Sequence, residues 1–306
     1  MADTLYDVVI IGSGPAGIQA AIHASRKKIR VLLLGRIENS ALYGAHVENY
    51  AFVPGVTCGN DLLETGLKQA TSFGAEYLQE DVLKIMENTP YFLVTTESGR
   101  TIQSRAILFC MGVAKNKLGV SGERKFIGKG VSYCVDCDAN FYRGATVAVT
   151  GGKSAAVDGA LTLLDYAEKV YLISDNIDVS KELMAKLKES KAEVINSRII
   201  EIQGENTVQR LELANGETVE TEGIFIELGA KGALELATQV GVMLDTESFK
   251  YIQTDGSQQT NISGIFAAGD ITGPPYQMAK AVGEGCVAGM EAANYAKTQK
   301  RQEKNE

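Results

Sequence analysis

The chain lacks what a membrane protein, a secreted disulfide scaffold or a nucleic-acid binder would need. No apolar run in its 306 residues approaches bilayer length, and no basic-then-apolar leader opens it, so a cytoplasmic protein is expected. Excess positive charge is missing too: a net charge of -8 argues against general nucleic-acid binding. Cysteine is scarce and odd in number, five in all, which excludes a disulfide framework. Histidine is scarcer: His23 and His46 stand alone, far upstream of the one Cys-x-x-Cys, so no metal site is expected. What remains is ordinary for a soluble globular chain, with 45% apolar and 22% charged residues and length enough for two domains.

Two near-twin segments organise the chain. Leu5 to Ile11 is a buried-type strand that runs into Gly12-Ser13-Gly14-Pro15-Ala16-Gly17, then an apolar helix to Arg26 and a strand at Val31–Leu34. In this βαβ setting Gly12 makes the tight turn, Gly14 admits a pyrophosphate to the backbone, and Gly17 lets helix and strand pack closely. The helix N-terminus offers N–H groups and a positive dipole end to phosphate. The second segment, Thr146-Val-Ala-Val-Thr-Gly-Gly-Lys-Ser-Ala-Ala156, begins alike but carries Lys153 where the second glycine belongs. Val147–Val149 and Val170–Ile173 flank a predicted helix and form a second βαβ unit.

An acid expected to bind ribose after the second strand is missing, since Gly35 occupies that place. Asp270, in Gly264-Ile-Phe-Ala-Ala-Gly-Asp270, is the better polar contact, at the carboxyl end of a short strand where ligands of α/β sheets gather.

Gly130-Val-Ser-Tyr-Cys-Val-Asp-Cys-Asp138 sets Cys134 and Cys137 at i and i+3, on one face of a helical turn and within disulfide reach. A helix N-terminus favours the thiolate, and Asp138 can shuttle the proton that dithiol chemistry requires. A redox-active disulfide is expected, with half a zinc site or a structural pair as rivals. Cys58, Cys110 and Cys286 read as core or near-core thiols.

Over nearly its whole length the chain resembles the low-molecular-weight thioredoxin reductase family. The resemblance rests on Gly12–Gly17, Val47-Glu-Asn49 with Pro54-Gly55, and Leu118-Gly-Val-Ser-Gly-Glu123. It continues through Gly130–Asp138, Phe141-Tyr-Arg143, Gly264–Asp270 and Gly283-Glu-Gly-Cys286. It implies an α/β fold of two Rossmann-like (three-layer ββα) dinucleotide-binding domains, the second inserted into the first. An FAD domain would be built from 1–112 and 245–306, and a degenerate NADPH-type domain from 113–244. FAD would be held by Gly12, Ser13, Gly14, Pro15, Ala16, Gly17, Asn49, Val82, Gly112, Gly269, Asp270, Met278 and Ala279. Cys137 would face the flavin, Cys134 would exchange with a thioredoxin-like protein, and Asp138 would be the acid–base. A homodimer is also implied.

The chain departs from the family at its second nucleotide site. The family's Gly-Gly-Gly is here Gly151-Gly152-Lys153, and the arginines that grip a 2′-phosphate fall at Asp175 and Asn176. Each lost charged hydrogen bond weakens binding by roughly 1.5–3 kcal/mol, so NADPH would lose about two to four orders of magnitude. The family's Gly-His-x-Pro-Asn-Thr is here Gly229-Ala-Lys-Gly-Ala-Leu234, and Tyr-Arg-Gln is Tyr276-Gln-Met278. In this the chain is similar to the pyridine-nucleotide-independent, ferredoxin-dependent flavin thioredoxin reductases. Lys115, Lys117, Arg124, Lys125 and Lys129 would face an acidic ferredoxin. The alternatives are NADH, held at its 2′-hydroxyl by Asp175, a second flavin or nucleotide in an altered pose, or a non-enzymatic flavin-linked redox sensor.

Overall fold

The computed structural model describes residues 4–113 and 117–304, which form two compact units. Of the described residues, one contains 4–96, 100–113 and 232–304, and the other 97–99 and 117–231. Both are Rossmann-like α/β units.

The first unit opens with β1 (Thr4–Ile11), α1 (Pro15–Arg26) and β2 (Val31–Leu34). A small hairpin, β3 (His46–Val47) and β4 (Thr57–Cys58), leads to α2 (Gly59–Ser72) and β5 (Glu76–Leu78). A meander follows, β6 (Val82–Asn88), β7 (Tyr91–Thr96) and β8 (Thr101–Phe109). The sheet order is β5-β2-β1-β8-β7-β6, parallel from β5 to β8 and antiparallel beyond. β1 and β2 are almost wholly apolar because helices cover a parallel sheet.

The second unit follows with β9 (Val131–Ser132), α3 (Val135–Asp138), β10 (Thr146–Thr150), α4 (Ser154–Leu163), β11 (Lys169–Ile173), α5 (Lys181–Glu189) and β12 (Glu193–Ile195). An antiparallel sheet of β13 (Ile199–Gln203), β14 (Arg210–Leu213) and β15 (Thr218–Glu220) precedes β16 (Gly223–Ile226). The parallel sheet runs β12-β11-β10-β16-β9, so β10, α4 and β11 form the predicted second βαβ unit.

The chain then returns to the first unit with α6 (Ala233–Thr238), β17 (Ile265–Ala267), which pairs with β8, and α7 (Met278–Gln302). The sequence predicted this return at 244, but it falls between 231 and 232. Ala233, Leu236, Ala237, Val240 and Val242 are buried in one apolar cluster with Ile11, Leu34 and Phe109 of the first sheet, so α6 belongs to that core. On the sheet's other face α1 and α7 pack together, close enough that a β-carbon on Gly285 would meet the Ala16 carbonyl oxygen at 2.2 Å. Among the described residues no helix is long and apolar enough to cross a membrane.

Candidate active site

The first glycine turn is shaped by close backbone approach. Gly12 has φ +111°, and a β-carbon on it would come within 2.5 Å of the Cys110 carbonyl oxygen. One on Gly17 would stand 1.8 Å from the carbonyl oxygen of Gly12. Gly14 is the helix N-cap with Pro15 following. Neither a side-chain cap nor an acid in the first turn competes for the helix N–H groups.

Gly269 lies beside this turn, since a β-carbon on it would stand 3.0 Å from Cβ of Ala16. Asp270 is partly buried, and burial raises its carboxyl above the ordinary range while Lys280 opposes the rise. Lys280 Nζ donates to the carbonyls of Gly269 and Gly273, at 2.9 and 2.7 Å, and to Thr272 Oγ1 at 2.8 Å. Glu284 Oε2 accepts from the Gly269 N–H at 2.8 Å and from Thr272 Oγ1 at 2.8 Å. Lys280 and Glu284, themselves paired at 3.1 Å, thus fix the segment that carries Asp270. Neither was expected as a site residue, because an i,i+4 Lys–Glu pair reads in sequence as an exposed helix pair.

The other expected cofactor contacts are more dispersed. Ser13 is buried in the turn, and Met278 and Ala279 open α7. Asn49 Nδ2 donates to Gln277 Oε1 at 3.1 Å, joining the β3 region to the start of α7. Gly112 is exposed just past β8. Val82 starts β6 with its side chain in the apolar cluster on the α6 face of the sheet.

In the second unit Cys134 and Cys137 form a disulfide with Cα atoms 5.3 Å apart. Cys134 caps α3, and its Sγ accepts from the Cys137 N–H at 3.2 Å. Cys134 is buried whereas Cys137 is exposed. Asp138 Oδ2 accepts a 2.6 Å bond from Ser132 Oγ, which in turn accepts from the Cys134 N–H at 3.1 Å. Buried Glu227 accepts from the Val135 N–H at 3.1 Å through Oε1. The helix has only four residues, so these local bonds, and not a long helix dipole, hold the pair.

The second glycine turn is closed by its own chain. The Asn176 carbonyl would meet a β-carbon on Gly152 at 1.8 Å, and Asp178 N–H donates to the Gly152 carbonyl at 2.7 Å. The Ala155 N–H, at the start of α4, donates to the Gly229 carbonyl at 3.2 Å. Lys153 is ion-paired with Asp178, and Asp175 with Arg198 at 3.3 Å.

A depression of about 390 Å³ brings Lys117, Arg124 and Lys125 together with Glu123. Lys129 does not line it, and Lys115 lies outside the described residues. Among the described residues no cluster suited to a metal is present.

The pyridine nucleotide-disulphide oxidoreductase model matches residues 6–285. Thioredoxin reductase of Listeria innocua is 33% identical, covering 96% of this chain and 94% of its own length. The bifunctional thioredoxin reductase/thioredoxin of Mycobacterium leprae is 34% identical, and the chain spans 66% of that longer protein. The atypical thioredoxin reductase of Desulfovibrio vulgaris Hildenborough superposes with a TM-score of 0.82 at 35% identity, over 96% of this chain and 98% of that one. A ferredoxin-flavin thioredoxin reductase of Clostridium acetobutylicum gives 0.68 at 32% identity, over 96% and 99%.

The chain belongs to the pyridine nucleotide-disulphide oxidoreductase family. Within it, the protein is a flavoprotein disulfide oxidoreductase of thioredoxin reductase type, with FAD as cofactor. The first glycine turn fits that group: its helix N-terminus has no side-chain cap, and Gly14 leaves bare backbone where a β-carbon would crowd Ser40 Oγ at 3.2 Å. Burial pushes the Cys110 thiol far up, with the Glu284 charge adding to it, so it stays protonated and inert.

Proposed function

We propose that this enzyme reduces the disulfide of a thioredoxin-like protein through Cys134 and Cys137, drawing electrons from reduced ferredoxin and not from NADPH. The observation that carries the reading is the closed second glycine turn. There the Asn176 carbonyl covers Gly152, the Ala155 N–H is already bonded to Gly229, and Lys153 is tied to Asp178. A pyrophosphate needs bare backbone and free N–H groups at this place. Asp178 and Asp175 also hold Lys153 and Arg198 in ion pairs, which leaves those cations already engaged. The likeness to a solved ferredoxin-flavin thioredoxin reductase supports the same reading, and the basic rim of Lys117, Arg124 and Lys125 supplies complementary charge for an acidic donor.

FAD, when bound, supplies the conversion of single electrons into the pair that a disulfide requires. Gly12 to Gly17 and Asp270 would hold it, with Asn49 and the start of α7 beside them. In the reduced enzyme Cys134 attacks one sulfur of the partner disulfide, breaking that S–S bond and forming a mixed disulfide. The released partner thiolate takes a proton. Cys137 then attacks Cys134 Sγ, freeing the second partner thiol and restoring the Cys134–Cys137 disulfide. Asp138, oriented by Ser132, carries the proton for these exchanges. We place the enzyme in the cytoplasm as a homodimer, like the family the sequence resembles.

Steady-state turnover of a thioredoxin disulfide, with reduced ferredoxin, NADH or NADPH supplied in turn, tests this reading. Turnover with ferredoxin alone is expected. Turnover with NADPH at micromolar concentration would overturn it.

A further inference from the structure

Lys231 lies in the loop after β16, with its side chain only 5% exposed. Its ammonium donates to both carboxylate oxygens of Asp136, at 3.1 and 2.9 Å, and lies 2.9 Å from Asp158 Oδ2 on α4. Asp136 stands between the two cysteines in the sequence, so this buried cation grips the redox motif directly. Lysine is rarely this buried unless paired.

Several carboxylates stand around the redox helix together with this cation. On the helix itself are Asp136 and Asp138. From the loop after β16 comes Glu227, whose Oε1 accepts from the Val135 N–H. From α4 comes Asp158, on a helix that approaches α3 so closely that a β-carbon on Gly159 would meet Val135 Cγ2 at 2.9 Å. Tyr142, packed just after α3, has its phenol pushed up by burial and by the Asp138 charge and stays neutral. Of these four carboxylates, Lys231 is bonded to Asp136 and Asp158.

We infer that Lys231 is an electrostatic positioning residue of the redox pair: through Asp136 it sets how readily the reduced Cys134–Cys137 dithiol gives up its first proton. A thiolate among carboxylates is disfavoured, and a nearby ammonium restores it. The equilibrium concerned is loss of one proton from the dithiol, whose midpoint belongs to the pair. Removing the cation raises that midpoint, and removing Asp158, which shares the cation with Asp136, lowers it. A purely structural clamp has no reason to move it in opposite directions.

The inference rests on the reading of Cys134 and Cys137 as the redox pair. The test uses the FAD-loaded protein, reduced with dithiothreitol and then freed of it, with iodoacetamide alkylation followed across pH by peptide mass. K231M should raise the alkylation midpoint by about one pH unit. K231R should restore it, and D158N should lower it. Measured above the thiol midpoint, the K231M disulfide should be tenfold harder to reduce, about 30 mV more negative. Shifts in the same direction for K231M and D158N, or no shift in either, overturn the role of Lys231. If K231M loses its flavin absorbance, D158N and K231R decide the matter by the same criteria. If Cys134 and Cys137 resist alkylation at every pH after reduction, the redox reading itself falls.

Discussion

The carbonyl oxygen of Asn176 lies against the α-carbon of Gly152, so close that a β-carbon on the glycine would stand 1.8 Å from it. In the function proposed above, this contact of the segment after β11 helps to close the turn to a pyrophosphate. Lys153 is one part of this closure and Asn176 another. Reinstating glycine alone, as K153G, should therefore leave NADPH binding undetectable by calorimetry, as in the native chain. Micromolar binding by K153G would show that the lysine side chain alone closes the site.

Cys134 is buried and Cys137 exposed, yet Cys134 is assigned the attack on the partner. The mixed disulfide decides between them. With the partner's resolving cysteine replaced by serine and its remaining cysteine activated as a mixed disulfide with thionitrobenzoate, C137S should trap a covalent complex through Cys134 as thionitrobenzoate leaves, whereas C134S should trap none. The reverse pattern, read on a non-reducing gel, would exchange the two roles.

Ser132 Oγ bridges the Cys134 N–H and Asp138 Oδ2. D138N should slow thioredoxin disulfide turnover by about 10²- to 10⁴-fold, the usual contribution of a positioned acid–base. S132A leaves the carboxylate in place but frees its orientation, and should cost about tenfold or less. Flavin absorbance should be unchanged in both. An S132A enzyme slower than D138N would contradict this division of labour.

Tyr133, next to Cys134, donates a 2.6 Å hydrogen bond to buried Glu123. Burial alone would raise the Glu123 carboxyl, but the bonds from Tyr133 and from the Gly119 and Leu118 N–H groups hold it below its ordinary range. Burial, then the bond to Glu123, push the Tyr133 phenol up from 10.0 to about 12. The carboxylate's contribution is present above the ordinary Glu value and is lost as pH falls through the depressed one. The phenol's contribution is present below pH 10.0 and is lost as pH rises through about 12. Y133F should destabilise the protein by about 1–2 kcal/mol at neutral pH. Its gap from the native protein in thermal unfolding should narrow in acid and again in strong alkali. A gap independent of pH would contradict the pairing.

Much of this was legible in the sequence, because glycine spacing, strand apolarity and Cys-x-x-Cys spacing are local signals. The two βαβ units, the first glycine turn and the i,i+3 disulfide lie where those signals put them. What escaped depends on contacts distant in sequence. The return at 232 was placed too late because α6 carries no boundary signal, and its place is set by packing against Ile11 and Phe109. Lys231, Glu227, Lys280 and Glu284 look like surface charges in a linear reading, and only the fold buries them or aims them at the redox helix and the Asp270 segment. The spoiled second turn was visible as Lys153. That Asn176 and Gly229 also close it was not.

The choice of electron donor is tested most directly by anaerobic reduction of the FAD-loaded protein, with flavin absorbance followed as each donor is added. Reduced ferredoxin should bleach the flavin and go on to yield free thiols at Cys134 and Cys137, while NADPH and NADH leave the spectrum unchanged. Rapid bleaching by NADPH at micromolar concentration, with ferredoxin inert, would contradict the account.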